Sequence, residues 1–106
     1  MRSSVTEDNK SRRDWISPDW FSFLELALPE AVWTLVPNLG ENIEGWLEEW
    51  SIDGVILTGG EDIGVFPIRD RTESAILDAS VKRNLPVLGI CRGCQVIAVH
   101  FSQEWV

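Results

Sequence analysis

The stretch Pro86-Val87-Leu88-Gly89-Ile90-Cys91-Arg92-Gly93-Cys94-Gln95 decides the fold of this chain. Residues 86–90 form a continuous apolar run that predicts a buried strand, and residues 92–101 carry apolar side chains at helical spacing. Glycines stand two residues before and two residues after Cys91, which is the Gly-x-nucleophile-x-Gly pattern with a thiol in place of a serine hydroxyl. The stretch therefore predicts a cysteine held on a sharp turn between a strand and a helix, at the carboxyl edge of a sheet.

This turn would place Cys91 at a helix N-terminus. Free N–H groups and the helix dipole at such an end favour the thiolate form of a cysteine. We expect the N–H group of Arg92 to point to the place where an oxyanion would form during attack on a carbonyl group.

A second glycine turn follows another predicted strand. Residues 54–57 are a continuous apolar run that ends in Thr58-Gly59-Gly60. Because the carboxyl ends of parallel strands lie at the same edge of a sheet, this turn should lie beside Cys91. A glycine N–H group there can supply the second of the two donors that an oxyanion hole usually needs.

The remaining pattern predicts an α/β domain with three layers, in which helices cover both faces of a parallel sheet. A further strand is predicted at residues 31–36, and further helices are predicted at residues 20–28, 41–50 and 70–83. Residues 1–14 are polar and predict a poorly ordered start, whereas residues 103–106 could begin another strand. A sheet of about three strands is small, so residues 1–106 are interpreted as a single incomplete domain or as one that pairs with another chain.

Composition excludes several classes of function. The chain has 106 residues and a formal net charge of −8, which disfavours binding to nucleic acid or to an anionic membrane surface. No apolar run is long enough to span a bilayer, and the polar first residues do not predict a signal peptide. Two cysteines cannot form a disulfide framework, so the expected location is the reducing cytoplasm.

Three motifs together resemble the class I glutamine amidotransferases. They are Asp53-Gly54-Val55-Ile56-Leu57-Thr58-Gly59-Gly60, then Arg69-Asp70-x-x-Glu73, and then the stretch from Leu85 to Gln95. Within that superfamily the chain is most similar to the γ-glutamyl hydrolase branch, peptidase family C26, which includes hydrolases of γ-glutamyl-γ-aminobutyrate and of γ-glutamyl-CDP-amidate. The match is strong over residues 53–101 and implies the N-terminal portion of a flavodoxin-like parallel sheet.

The resemblance also implies a reaction and a set of site residues. Cys91 would attack a γ-glutamyl amide, either glutamine or a small-molecule γ-glutamyl conjugate, and form a glutamyl thioester. The N–H groups of Gly60 and Arg92 would hold the oxyanion, and Gly59 and Gln95 would contact the substrate. No metal or organic cofactor is implied.

The chain departs from the family in three places. Polar residues 2–6 replace an apolar first strand, and Cys94 stands where a larger apolar residue is usual. The catalytic His and Glu of the family lie well beyond the elbow, whereas the single histidine here, His100, is nine residues after Cys91. Nine residues of helix rise by about 13 Å, which is too far for direct proton transfer. We therefore expect the isolated chain to be almost inactive.

Other interpretations of these residues stay open at this point. Cys91 could be a buried structural thiol, Cys91 and Cys94 could form a redox pair, and the same two thiols could contribute to a zinc site. The whole chain could be a non-catalytic remnant of an enzyme. Asp70 and Glu73 are most simply interpreted as acids that stabilise the positive end of a helix.

Overall fold

The computed structural model of the chain describes residues 2–5 and 12–102. They form four short strands, four α-helices and one 3₁₀ turn. In chain order these are β1 (Arg2–Val5), β2 (Arg12–Trp15), α1 (Asp19–Ala27), the 3₁₀ turn (Gly40–Asn42), α2 (Ile43–Glu49), β3 (Val55–Leu57), α3 (Pro67–Arg83), β4 (Val87–Gly89) and α4 (Arg92–Ser102).

The centre of the fold is a β3-α3-β4 unit. The two strands are parallel, with Val55 paired to Val87 and Leu57 paired to Gly89. The pairing continues one step further, because the N–H group of Ile90 donates to the carbonyl oxygen of Leu57 at 2.9 Å. A parallel pair joined by a helix confirms the predicted α/β class.

One hydrophobic core holds this unit together. Helix α3 contacts α2 and α4, and α4 also contacts both parallel strands. The buried apolar side chains of this core come from β3, α2, α3 and α4: Ile43, Leu47, Val55, Leu57, Ile76, Leu77, Ala79 and Val96. Val87 of β4 is partly buried against them. Since only Ile90 and Cys91 separate β4 from α4, this packing fixes the strand-to-helix turn that carries Cys91.

The four predicted helices are present, with ends shifted by a few residues. Helix α3 begins at Pro67, three residues earlier than predicted, because proline at the first helical position loses no hydrogen bond. It ends where Asn84 adopts a left-handed conformation with φ of +54°. Within residues 2–5 and 12–102, no helix is both long and apolar enough to cross a membrane.

The predicted strand at residues 31–36 is wrong. These residues have no regular secondary structure, and the side chain of Val32 is fully exposed. An extended apolar segment becomes a strand only when a neighbouring strand accepts its hydrogen bonds. As a result, the parallel sheet within the described residues has two strands rather than about three.

Two strands lie in or beside the polar stretch of residues 1–14, for which the sequence predicted a poorly ordered start. β1 and β2 are antiparallel, with Arg2 opposite Trp15. Asp14 also ties β2 to the chain before α2, since its carboxylate accepts two hydrogen bonds of 3.0 Å from Asn38. The predictions for residues 1, 6–11 and 103–106 lie outside the part of the chain that the structure describes.

Candidate active site at the carboxyl edge of the parallel strands

Cys91 lies on the turn between β4 and α4, in a strained backbone conformation. Its φ of +54° is in the left-handed region, which costs a non-glycine residue about 1–3 kcal/mol. Helix α4 starts at once, because the carbonyl oxygen of Cys91 accepts the N–H group of Cys94 at 3.0 Å. The side chain of Cys91 is exposed, which excludes a buried structural thiol.

The two glycines beside Cys91 are required by close packing. A Cβ atom added to Gly93 would overlap the carbonyl oxygen of Leu57, and one added to Gly89 would lie 2.6 Å from the carbonyl carbon of Gly93. Non-bonded carbon atoms do not approach within 3 Å without moving the backbone. The spacing of the glycines around Cys91 therefore reflects the contact of α4 with the ends of β3 and β4.

The second glycine turn lies at the same edge of the sheet. Leu57 is paired with Gly89, so the residues that follow β3 run alongside those that follow β4. The backbone N–H groups of Gly60 and Arg92 have no backbone acceptor within residues 2–5 and 12–102. These are the two groups that the resemblance assigns to the oxyanion.

A buried cluster of charged side chains lies behind the two turns. Arg69, Glu73 and Arg92 are 2%, 4% and 4% exposed. One carboxylate oxygen of Glu73 accepts the Nε–H of Arg69 at 2.5 Å and the Nη1–H of Arg92 at 2.7 Å. We call these three residues, together with Asp70, the arginine–carboxylate cluster.

The cluster corrects the interpretation of Asp70 and Glu73. Asp70 does lie in the first turn of α3, but its carboxylate accepts a hydrogen bond of 2.5 Å from Arg92 and another of 2.8 Å from the N–H group of Gly64. Glu73 lies beyond that turn and is buried, so its role is to pair with two guanidinium groups. The sequence pattern did not indicate that the side chains of Arg69 and Arg92 would be its partners.

His100 is held by α3. Its Nδ1 atom lies 3.3 Å from the hydroxyl of Ser74, and its Nε2 atom lies 3.0 Å from the carboxylate of Asp78. The arrangement has the residue types of a serine hydrolase triad. However, Ser74 lies in the middle of a helix whose backbone N–H groups bond to its own carbonyls, so no oxyanion donor is available there. We interpret the three side chains as a contact between α3 and α4.

Gln95 and Cys94 lie in the first turn of α4, and both are exposed. Cys94 is a free thiol, as is Cys91. Within residues 2–5 and 12–102, no three His, Cys, Asp or Glu side chains are grouped so that they could hold a metal ion.

Comparisons with known proteins identify relatives of the chain. A glutamine amidotransferase-like protein of Lactococcus lactis subsp. cremoris is 33% identical over an alignment of 110 positions, gaps included, that covers 81% of this chain and 57% of that protein. The γ-glutamyl-CDP-amidate hydrolase of Campylobacter jejuni is 37% identical over 59 residues, covering 50% of this chain and 30% of the hydrolase. One subunit of the glutamine-hydrolyzing GMP synthase of Methanococcus aeolicus is 40% identical over 57 residues, covering 54% of this chain and 27% of that subunit.

These relatives are longer than the chain, which spans between 26% and 57% of the length of the first three curated relatives that it matches. No solved structure gives a significant match. The family model described as Peptidase C26 matches residues 2–103. Since that match extends over nearly the whole sequence, the chain belongs to the peptidase C26 family.

Proposed function

We propose that the chain carries the nucleophile of a cysteine-dependent hydrolase or amidotransferase that acts on a γ-glutamyl amide. The observation that carries the proposal is the exposed Cys91 on its left-handed turn, with the N–H groups of Gly60 and Arg92 at the same edge of the sheet. Relatives named as glutamine-hydrolyzing and as a γ-glutamyl hydrolase support the class of substrate.

The proposed reaction begins when the Cys91 thiolate attacks the carbonyl carbon of the side-chain amide. The carbonyl electron pair moves to the oxygen, which then accepts hydrogen bonds from Gly60 and Arg92. The C–N bond breaks, the nitrogen takes a proton and leaves as ammonia or an amine, and a glutamyl thioester remains. Water hydrolyses this thioester and regenerates the thiol. Gly59 and Gln95 are proposed to contact the glutamyl group.

A general base for this reaction is missing from the residues described. His100 is the single histidine of the sequence, and both of its ring nitrogens face α3. In a serine hydrolase, loss of the triad histidine alone lowers kcat by about 10⁶-fold. We therefore propose that residues 1–106 by themselves are almost inactive.

Selective alkylation tests the proposed nucleophile. A chloromethyl ketone analogue of glutamine reacts when the thiolate displaces chloride, and its ketone oxygen occupies the position of the oxyanion. We expect the reagent to label Cys91 at least about 10-fold faster than Cys94, because the two proposed oxyanion donors, the N–H groups of Gly60 and Arg92, would serve Cys91 and not Cys94. Peptide mass spectrometry over a time course measures both rates.

Two variants control this experiment. Cys94→Ser should keep the fast phase of labelling, and Cys91→Ser should lose it. Equal labelling of the two thiols would contradict the proposal. A reversible Cys91–Cys94 disulfide with a defined reduction potential would instead favour a thiol-disulfide oxidoreductase, and slow labelling of both thiols would favour a non-catalytic remnant.

A further inference from the structure

The arginine–carboxylate cluster connects the two glycine-containing turns through one oxygen atom. The same Glu73 oxygen accepts hydrogen bonds from Arg69 and from Arg92. We propose that Glu73 is a positioning residue: through these two arginines it sets the directions of the N–H groups of Gly60 and Arg92. This inference rests on the proposed function, since those N–H groups are the proposed oxyanion donors.

Arg69 fixes the turn after β3. Its Nη2 atom donates to the carbonyl oxygens of Thr58 at 2.9 Å and of Gly59 at 3.1 Å. The carbonyl group of Gly59 and the N–H group of Gly60 belong to one planar trans peptide, in which they point in opposite directions. Anchoring that carbonyl to the buried Arg69 therefore directs the N–H group of Gly60 away from the cluster and toward the edge of the sheet.

Arg92 fixes the start of α4. Its guanidinium is anchored at two points, with Nη1 bound to Glu73 and Nη2 bound to Asp70 at 2.5 Å. The side chain is 4% exposed, so the residue has little freedom to rotate. Its backbone N–H group, which is the first of α4, is thus held at a set position relative to Glu73.

Glu73 is the residue to which both Arg69 and Arg92 are bound. Two guanidinium groups buried side by side would repel each other, and the Glu73 carboxylate between them offsets that repulsion. Catalytic donors lose much of their effect when they move by about 1 Å. A change at Glu73 or Arg69 should therefore weaken oxyanion binding even where the thiol itself stays exposed and reactive.

The test compares two alkylating reagents on the same thiol. Iodoacetamide reports the reactivity of the Cys91 thiolate and forms no oxyanion, whereas the chloromethyl ketone analogue of glutamine also needs the two N–H donors. Arg69→Lys keeps the positive charge but cannot reach both carbonyls and Glu73 as the guanidinium does. We expect it to lower the ketone rate about 10- to 100-fold and to leave the iodoacetamide rate within about 3-fold.

Arg71→Lys is the matched control. Arg71 is on the same helix but is exposed, with a loose 3.6 Å pair to Glu41, so both rates should stay as in the wild type. Glu73→Gln is the second test variant and should shift the ratio of the two rates in the same direction as Arg69→Lys. Circular dichroism at the assay temperature establishes that each protein is folded.

Each outcome decides between the two proposals. If the wild-type chain shows no preference of the ketone for Cys91, the proposed function fails first. If the wild type shows the preference and both Arg69→Lys and Glu73→Gln retain the wild-type ratio, the positioning role of Glu73 is wrong. Loss of the folded state in both variants would assign the cluster to the stability of the fold alone and would also overturn the inference.

Discussion

Replacing Gly93 with alanine is expected to lower the free energy of unfolding of the chain strongly. The added Cβ atom would overlap the carbonyl oxygen of Leu57 and would lie 2.9 Å from the Cβ of the same residue. The carbonyl oxygen of Leu57 is a backbone atom in the middle of the core, so the clash is relieved only if α4 moves away from the sheet. We expect a loss of at least about 3 kcal/mol, at the upper end of the effects of overpacking.

Gly45→Ala is the matched control for this variant. Gly45 lies inside α2, and no atom is within 4 Å of the position that its Cβ would take. Alanine is favoured over glycine in a helix by about 1 kcal/mol, so this variant should be slightly more stable than the wild type. Urea unfolding followed by tryptophan fluorescence measures both changes. A Gly93→Ala protein with the wild-type midpoint would contradict the close packing of α4 on the two strands.

Replacing Glu73 with leucine should cost about 3–5 kcal/mol, because it leaves two buried guanidinium groups without their shared acceptor. Arg69 would keep only the carbonyls of Thr58 and Gly59, and Arg92 would keep only Asp70. The penalty, measured by urea unfolding, should persist in high salt, since buried charges are screened much less than exposed ones.

Glu44→Leu serves as the control for the loss of one negative charge. Glu44 forms an exposed pair of 3.7 Å with Lys82, and such pairs contribute about 0–1 kcal/mol. Its unfolding free energy should therefore stay within about 1 kcal/mol of the wild-type value. If the two leucine variants lose equal stability, the buried arginine–carboxylate cluster contributes no more to the free energy of unfolding than the exposed pair of Glu44 and Lys82.

The central unit of the fold could be predicted because its signals are local. An apolar run followed by a glycine turn marks β3, and another apolar run followed by Gly89 and Gly93 marks β4 and the start of α4. Each apolar run and the glycine turn that follows it lie within about ten positions of each other in the sequence. Both turns could therefore be located from the sequence alone, and the parallel arrangement of their strands puts them at one edge of the sheet.

The parts that could not be predicted depend on contacts between distant residues. Residues 31–36 have the composition of a strand, but whether they form one depends on a neighbour to pair with. The burial of Glu73 likewise depends on Arg92, which is 19 residues away. An i, i+4 spacing of Arg69 and Glu73 is typical of exposed helix pairs, and only the surrounding core shows that this pair is enclosed.

The two-stranded pairing of β3 with β4 has a consequence for handling the protein. Within the described residues each of these strands pairs only with the other, and the side chain of Leu88 is 57% exposed. A strand with an open side presents a row of amide and carbonyl groups that another polypeptide can extend by hydrogen bonding. Light scattering across a dilution series should accordingly show self-association that grows with protein concentration, and a lysine in place of Leu88 should reduce it.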